Sequence, residues 1–167
     1  SQITETTANA VAIDLNNSTA VTNVTNNAAS TTTTFVITGG NQADSIQGSN
    51  GTDTLNGAGG ADTLLGGAGA DRFAYSTTAE LIAGGGGGAA VDSVVGGDAT
   101  DVIFLDAAVA YTVPNTANFS RFQTVETITA GLANAQAVSL SLDATAFTAG
   151  IRTIDLSADT NAASTNV

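Results

Sequence analysis

Several residue types that enzymes and metal centres commonly use are missing from this chain of 167 residues. It contains no Cys, His, Lys, Met or Trp. Without Cys it has no disulfide and no thiol chemistry, and without Cys or His it lacks the usual ligands of transition metals. Acid–base and nucleophilic catalysis also have few groups to use, because His, Cys and Lys are among the residues that most often perform them. The composition therefore predicts a protein that is not an enzyme.

Positive charge is equally scarce. Three Arg stand against fifteen acidic residues, which gives a formal net charge of −12 at pH 7. Because phosphate backbones and anionic lipid surfaces attract basic proteins, we expect neither nucleic acid nor an anionic membrane as a partner. No apolar run approaches the length of a membrane span, and no basic segment followed by an apolar core marks a signal peptide. We therefore expect no membrane insertion.

Glycine and aspartate, in contrast, recur with a fixed spacing. Four nonapeptides follow one another without a gap from Gly39 to Ala74: GGNQADSIQ, GSNGTDTLN, GAGGADTLL and GGAGADRFA. Each unit begins with Gly and has Asp at its sixth position and a large apolar residue at its eighth. The aspartates are Asp44, Asp53, Asp62 and Asp71, and the apolar residues are Ile46, Leu55, Leu64 and Phe73. Regularity of this kind over four units predicts a repeat fold rather than a disordered linker.

The composition of one unit predicts its local structure. Its first six residues are small or polar and include Gly, which accepts the positive φ of tight turns. The next three residues suffice for a short strand whose middle side chain points inward. Two units then form a coil of eighteen residues, and residues eighteen apart stack at the strand spacing of roughly 5 Å. This stacking brings Asp44 over Asp62 and Asp53 over Asp71.

Stacked carboxylates need a cation to relieve their mutual repulsion. At an effective dielectric constant near 20, two of them repel by about 3 kcal/mol at this spacing, and the chain has no Lys to relieve the repulsion. Carboxylate oxygens together with turn carbonyls are the ligands of Ca²⁺, which takes six to eight oxygens in a flexible geometry. Mg²⁺ fits less well, because it requires a tighter octahedron and retains its waters. The repeat therefore predicts Ca²⁺ as the cofactor.

The nonapeptide resembles the RTX (repeats-in-toxin) consensus GGxGxDxUx, in which U is a large apolar residue. The unit Gly66–Ala74 matches every consensus position, whereas Gln42, Ser49 and Ala58 replace consensus glycines in the other three units. The resemblance implies an all-β fold, a right-handed parallel β-roll (a β-solenoid) with Ca²⁺-bound turns, flanked by metal-free coils of β-strands. It also implies that the metal lies between adjacent turns. The implied ligands are the carboxylates of Asp44, Asp53, Asp62 and Asp71 and the carbonyls of Gly39, Gly48, Gly57 and Gly66.

The same pattern extends beyond the four units. After an insert at 75–86, GGAAVDSVV and GGDATDVIF return to the register and place Asp92 and Asp101 at the sixth position. The phrases around them resemble the usual exit of an RTX block, where Asp98 and Asp106 would complete a further metal site. Upstream, Ser30–Thr38 keeps the apolar eighth residue but has no Asp, which predicts a coil without metal.

The flanking sequences predict β structure without metal. Short alternations of apolar and polar residues indicate strands, and they occur at Val11–Leu15, Ala20–Thr25, Thr124–Ile128, Val138–Leu142 and Arg152–Leu156. Helix signals are few, and Thr77–Ile82 is predicted to form one turn. The chain is therefore divided into an N-terminal β segment for assembly or capping (1–38), the calcium-binding roll (39–106) and a C-terminal β-rich segment (107–167). Phrases at 119–160 resemble coils of bacterial surface-layer proteins that carry RTX blocks.

Two function classes follow from these resemblances. In the first, the chain is a calcium-dependent structural protein that assembles with other copies of itself into a surface layer or filament. In the second, it is a non-catalytic folding and secretion module of a larger secreted enzyme or adhesin. Both imply one-step (type I) bacterial secretion and a place at the cell surface or in the extracellular matrix, where cell-surface polysaccharide is the candidate anchor. Nothing in the sequence brings Glu80 and Glu126 together as a catalytic pair.

Overall fold

The computed structural model describes residues 2–3, 10–15, 23–26, 33–82, 92–105, 110–113, 119–131, 138–142, 144–157 and 165–166. These residues form sixteen short strands and two short helices. In chain order the elements are β1 (Gln2–Ile3), β2 (Ala10–Asp14), β3 (Asn23–Asn26), β4 (Thr34–Thr38), β5 (Ser45–Gln47), β6 (Thr54–Asn56), β7 (Thr63–Gly67), β8 (Arg72–Tyr75), α1 (Thr78–Leu81), β9 (Ser93–Gly97), β10 (Val102–Leu105), β11 (Tyr111–Val113), β12 (Phe122–Gln123), β13 (Thr127–Ala130), β14 (Val138–Leu140), α2 (Ala144–Ala149), β15 (Thr153–Asp155) and β16 (Thr165–Asn166).

The strands wind into a β-solenoid. Sheet I has the order β1-β3-β5-β7-β9-β12, sheet II the order β15-β13-β10-β8-β6-β4-β2, and sheet III the order β11-β14-β16. Every strand pair in these sheets is parallel. Successive strands alternate between sheets I and II through the nonapeptide block, so each coil contributes one strand to each sheet. The predicted all-β roll is confirmed, and strands from all three predicted segments join sheet II.

The register follows the nonapeptides. Ile46 lies beside Leu64 in sheet I, and Leu55 lies beside Phe73 in sheet II, as a coil of two units requires. The insert lengthens the next coil without changing the register, because Leu64 still aligns with Val94. The apolar residue that ends the metal-free coil, Ile37, aligns with Leu55 as predicted.

Apolar side chains at the eighth position form the core. In sheet II one column runs through seven strands, and its members are Ile13, Ile37, Leu55, Phe73, Ile103, Ile128 and Ile154. The five inner residues of this column are fully buried, whereas the two end residues are only partly buried. A solenoid of this kind buries its apolar stripe by stacking coils, so the first and last coils each leave one side of the column without a neighbouring coil.

The described part of the insert, through Ile82, adds to the core. Its helix α1 begins after Thr77, whose hydroxyl accepts the N–H of Glu80 at 3.2 Å. The carboxylate of Glu80 in turn accepts the N–H of Ser76 at 2.7 Å. Leu81 and Ile82 are both fully buried. The predicted helical turn is confirmed, and the glycine run that follows it lies outside the described residues.

The C-terminal coils differ from the prediction in two places. The strand expected at Thr124–Ile128 begins only at Thr127, because Thr124 has a left-handed φ of 50° and the chain turns there. The helix α2 was not predicted; it packs against β12, the last strand of sheet I. The other predicted strands overlap β2, β3, β14 and β15. Among the described residues, no helix has the length and apolarity needed to cross a membrane.

Candidate metal centre

Six buried aspartates form two rows along the edges of the solenoid. Row I precedes the strands of sheet I and contains Asp44, Asp62 and Asp92. Row II precedes the strands of sheet II and contains Asp53, Asp71 and Asp101. None of the six is more than 3% exposed. Carboxylates are buried at this level only when they are paired, hydrogen-bonded or bound to metal, so both rows need partners.

Hydrogen bonds between coils hold Oδ1 of Asp53, Asp62, Asp71, Asp92 and Asp101. In row I the N–H of Asp44 donates to Oδ1 of Asp62 at 2.7 Å, and the N–H of Asp62 donates to Oδ1 of Asp92 at 2.9 Å. Row II repeats this pattern, since the N–H of Asp53 donates to Asp71 at 2.8 Å and that of Asp71 donates to Asp101 at 2.7 Å. The predicted stacking of the aspartates is therefore confirmed for both rows.

The second oxygen is the one available to a metal. The Oδ2 atoms of Asp62, Asp71 and Asp101 are buried and make no hydrogen bond. At the start of row I the same atom of Asp44 accepts the N–H of Gly40 at 2.7 Å. A buried carboxylate oxygen without a partner has a large desolvation cost. Three such atoms in equivalent positions fit the binding of a cation.

Carbonyl oxygens approach these carboxylates at the first glycine of three units, Gly39, Gly48 and Gly66. A Cβ on Gly66 would lie 2.5 Å from the carbonyl oxygen of Gly96, in the next coil, and would also overlap Oδ2 of Asp71. At Gly39 the corresponding atoms are the Gly57 carbonyl oxygen at 2.6 Å and Oδ2 of Asp44 at 2.8 Å. Glycine is therefore required here by close approach, because any side chain would fill the space where the two oxygens converge.

The remaining predicted glycines fit the same arrangement. At Gly48 the converging atoms are the carbonyl oxygen of Gly66 and Oδ2 of Asp53. At Gly57 the nearest described atom is Oδ2 of Asp62. The carbonyls of Gly57 and Gly66 thus face the preceding coil, as expected of ligands. That all four first glycines donate their carbonyls to metal stays a prediction.

The donor set has the chemistry of a calcium site. It combines carboxylate and backbone carbonyl oxygens, which Ca²⁺ binds at 2.3–2.6 Å in variable geometry. Among the described residues, no three His, Cys, Asp or Glu side chains group closely enough to hold a metal by themselves. Backbone carbonyls therefore have to complete each coordination sphere, which is possible only in turns that lie against one another.

The electrostatics of the rows also favour a cation. The pKa of Asp62 is raised from 3.8 to about 7, mainly by burial and in addition by the charges of Asp92 and Asp44, although the Asp44 N–H opposes the shift. Burial likewise raises the pKa of Asp71 to about 7. Both carboxyls therefore resist ionisation near neutral pH in the absence of metal. A divalent cation removes this resistance because it stabilises the ionised form.

Row I ends beside the insert. Burial raises the pKa of Asp92 to about 6, and the charge of Glu80 adds to this shift. The hydroxyl of Tyr75 and the guanidinium of Arg121 lower the same pKa, although no hydrogen bond of good geometry joins the Tyr75 hydroxyl to a partner. Burial and the nearby negative charges raise the pKa of Tyr75 itself. The environment of Asp92 therefore differs from that of the other row I aspartates.

Ser49, which replaces a consensus glycine, contacts the first aspartate of row II, Asp53. The hydroxyl of Ser49 lies 3.0 Å from Oδ2 of Asp53 and 3.3 Å from the carbonyl oxygen of Thr33. The N–H of Ser49 also donates to Oδ2 of Asp53 at 2.5 Å. In the coil below, the sixth position is occupied by Phe35, whose N–H donates to Oδ1 of Asp53 at 2.7 Å. Both oxygens of Asp53 are therefore hydrogen-bonded, unlike those of Asp71.

The predicted ligand Asp98 lies outside the rows. The side chain of Asp98 is exposed, and its charge contributes to the raised pKa of Asp101. Asp106 lies outside the described residues. The site that was expected to contain both stays a prediction.

One member of the rows was missed in the sequence. Glu126 accepts the N–H of Asp101 at 2.8 Å through Oε2, and it thereby continues row II by one position. The only signal was its place two residues before a buried Ile128, which is the relation of each row aspartate to its apolar eighth residue. This relation was not recognised in the sequence, because Glu126 has a longer side chain than the row aspartates and no repeat glycine precedes it.

The comparisons with known proteins agree with this geometry. The family model of the RTX calcium-binding nonapeptide repeat matches residues 38–73 in four copies. No curated protein and no solved structure matches the chain. A repeat roll of this family is a structural calcium-binding module. The solenoid described above thus carries a four-copy RTX calcium-binding nonapeptide repeat at residues 38–73.

Proposed function

We propose that this chain is a calcium-dependent structural protein that folds and assembles with copies of itself outside the cell, as a surface layer or filament. The observation that carries the proposal is the pair of buried aspartate rows, in which three Oδ2 atoms have no hydrogen-bond partner. A fold with such rows at its edges depends on a cation for its stability. No step of the proposal requires a catalytic residue.

Calcium couples folding to location. At the low calcium concentration of a cytosol, repulsion between stacked carboxylates and the entropy of the glycine-rich turns oppose the roll. In millimolar extracellular calcium the free energy of binding contributes to folding, since the sites do not exist in the unfolded chain. Secretion before folding, and a place at the bacterial cell surface or in the extracellular matrix, follow from this coupling.

The ends of sheet II support self-assembly. Among the described residues, β2 pairs only with β4, and β15 pairs only with β13. Edge strands of this kind are templates for pairing with another chain. A second copy stacked end to end would place Ile13 beside Ile154 and continue the core column of sheet II across the junction. Cell-surface polysaccharide remains the candidate anchor for the assembled layer.

A calcium titration tests this function. Circular dichroism and light scattering are followed together from EGTA to 10 mM Ca²⁺ (roughly the weak, extracellular end of protein calcium affinities), with Mg²⁺ as the control. We expect a coil-to-β transition with rising scattering in Ca²⁺ alone. The same transition without scattering would favour the alternative, a monomeric folding and secretion module of a larger protein. Absence of a transition would contradict both.

A further inference from the structure

We propose an additional calcium site at the C-terminal end of row II, beyond the residues that match the RTX repeat. It lies between the turn 96–101 and the three-residue turn Thr124–Glu126, which connects β12 to β13. The carboxylates of Asp101 and Glu126 and the carbonyl oxygen of Thr124 are the ligands that the geometry assigns to it. This inference rests on the calcium binding by the rows that is proposed above.

The carboxylate of Glu126 occupies the position of the next row member. The N–H of Asp101 donates to Oε2 of Glu126 at 2.8 Å, and the N–H of Asp71 donates to Oδ1 of Asp101 at 2.7 Å. The two hydrogen bonds are thus equivalent steps along one row. Glu126 is half-buried, and its hydrogen bond to the N–H of Asp101 places its carboxylate beside that residue.

The carbonyl oxygen of Thr124 occupies the position of a repeat glycine carbonyl. A Cβ on Gly96 would overlap both this oxygen and Oδ2 of Asp101, just as a Cβ on Gly66 would meet the Gly96 carbonyl and Oδ2 of Asp71. The two oxygens therefore converge on one point. Asp101 is fully buried, and its Oδ2 atom has no hydrogen-bond partner. This orphaned oxygen points to a cation at the convergence.

The short turn reaches this geometry without glycine. Thr124 adopts a left-handed φ of 50°, and its hydroxyl accepts the N–H of Gly97 at 2.9 Å. The carbonyl oxygen of Asp101 accepts the N–H groups of Glu126 at 3.2 Å and Thr127 at 3.1 Å. These contacts fix the three residues against the last RTX-like turn. Glu126 reaches the row position from this short turn because its side chain is one methylene longer than that of Asp.

The donor set selects a hard divalent cation. All of its atoms are carboxylate or carbonyl oxygens, and no nitrogen or sulfur ligand takes part, which favours Ca²⁺ over transition metals. The charges of Glu126 and Asp98 both reach Asp101, because they raise its pKa. The site therefore concentrates negative charge at the point where the repeat sequence has already ended.

Isothermal calorimetry with CaCl₂ on the full chain tests the site. The variant is Glu126→Gln, which keeps an oxygen acceptor for the N–H of Asp101 but removes the charge. Asp155→Asn removes one charge from an exposed position on β15 and is the matched control. We expect Glu126→Gln to lose one Ca²⁺ per chain, or to bind one ion at least tenfold more weakly. Asp155→Asn is expected to match the wild type.

A thermal denaturation experiment separates metal binding from simple capping. If Glu126 only caps the row, Glu126→Gln lowers the unfolding midpoint by the same amount at two calcium concentrations that both lie above the folding midpoint. If it binds calcium, the difference from the wild type grows as the calcium concentration rises. An unchanged stoichiometry and unchanged affinities in Glu126→Gln would overturn the proposal. Failure of the wild type to bind any Ca²⁺ would instead contradict calcium-dependent folding as a whole.

Discussion

At the scale of single residues, the two oxygens of a row aspartate have different roles, as Asp71 and Asp101 show. Oδ1 accepts a backbone N–H from the preceding coil, and Oδ2 is directed toward the turn, where it meets a carbonyl oxygen. Asp62 shows this division most clearly, because its Oδ2 atom is buried without a partner and it lies between Asp44 and Asp92 in row I. One carboxylate therefore links neighbouring coils and contributes to a metal site at the same time.

The position in the row predicts how much each aspartate matters. Asp62→Asn keeps the Oδ1 acceptor but removes the charge, so we expect the calcium midpoint of folding to rise about tenfold, equivalent to about 1.4 kcal/mol. Asp44→Asn is the matched variant, and we expect a smaller rise because Oδ2 of Asp44 already accepts the N–H of Gly40. Circular dichroism across a calcium titration measures both midpoints. Equal midpoints would contradict a cooperative row.

The raised carboxyl pKa values predict how the calcium-free protein responds to pH. In the folded state the pKa of Asp62 and that of Asp71 are about 7, compared with the ordinary 3.8. The folded chain therefore holds more protons than the unfolded chain between these values, and its stability falls as pH rises through 7. We expect circular dichroism to show less residual β structure in EDTA at pH 8 than at pH 5. In saturating Ca²⁺ the trend should vanish or reverse, and a β content in EDTA that rises with pH would refute this account.

At the scale of the elements, each turn has to let two coils approach within hydrogen-bonding distance. The first glycine of each unit makes this possible, since it leaves open the space where a carboxylate and a carbonyl oxygen converge. The three-residue turn Thr124–Glu126 achieves a similar approach with a left-handed threonine. Strands β5 and β6, which contain only three residues each, depend on these turns for their register.

Substitution of one such glycine tests the role of the turns. In Gly66→Ala the new Cβ would collide with Oδ2 of Asp71 and the carbonyl oxygen of Gly96. We expect the calcium affinity to fall at least tenfold. Gly131→Ala is the control, because its nearest neighbour is the aromatic edge of Phe104 at 3.3 Å. Calorimetry measures the calcium affinity of both variants. An equal loss of affinity in Gly66→Ala and Gly131→Ala would exclude a specific role of the turn glycine.

At the scale of the whole molecule, the solenoid is a stack with two ends. Sheet I carries α2 against its last strand β12, whereas sheet II ends at β15 with no further described strand beside it. The partly buried Ile13 and Ile154 terminate the apolar column of sheet II. Within the described residues the column has no further strand at either end, which is consistent with the proposed contact between copies, because stacking is how solenoids bury their apolar stripe.

A charge at one end of this column is predicted to prevent assembly. Ile154→Lys would place an ammonium group at the junction of two copies, so we expect the calcium-induced β transition without the rise in light scattering. Val36→Lys is the control, since Val36 is 42% exposed, lies outside the apolar column, and belongs to β4, which is paired on both sides by β2 and β6. Normal assembly of Ile154→Lys, or loss of assembly in Val36→Lys, would show that the contact between copies does not lie at the end of the apolar column.

Much of the fold could be read from local repetition. The nonapeptide spacing predicted the eighteen-residue coil, the pairing of Ile46 with Leu64 and the stacking of Asp53 with Asp71, and the structure confirms all three. The helix α2 was missed, because its apolar residues are mostly small alanines with little helical periodicity. The predicted start of β13 at Thr124 was wrong, because Thr124 has a left-handed φ. A contact with a coil that is distant in sequence stabilises this conformation.

The amino-acid sequence by itself determined the repeat, the acidic charge and the choice of calcium, because these depend on residue type and spacing within nine residues. Only the tertiary structure decided which carboxylate oxygens lack partners, that Ser49 satisfies Asp53, and that Glu126 extends row II. The contacts along the rows join atoms across one coil, 18 to 30 residues apart in the repeat and 25 apart at Glu126, whereas Ser49 and Asp53 meet within one turn. The physical reason is that a coil of variable length, and not the local sequence, sets which groups meet.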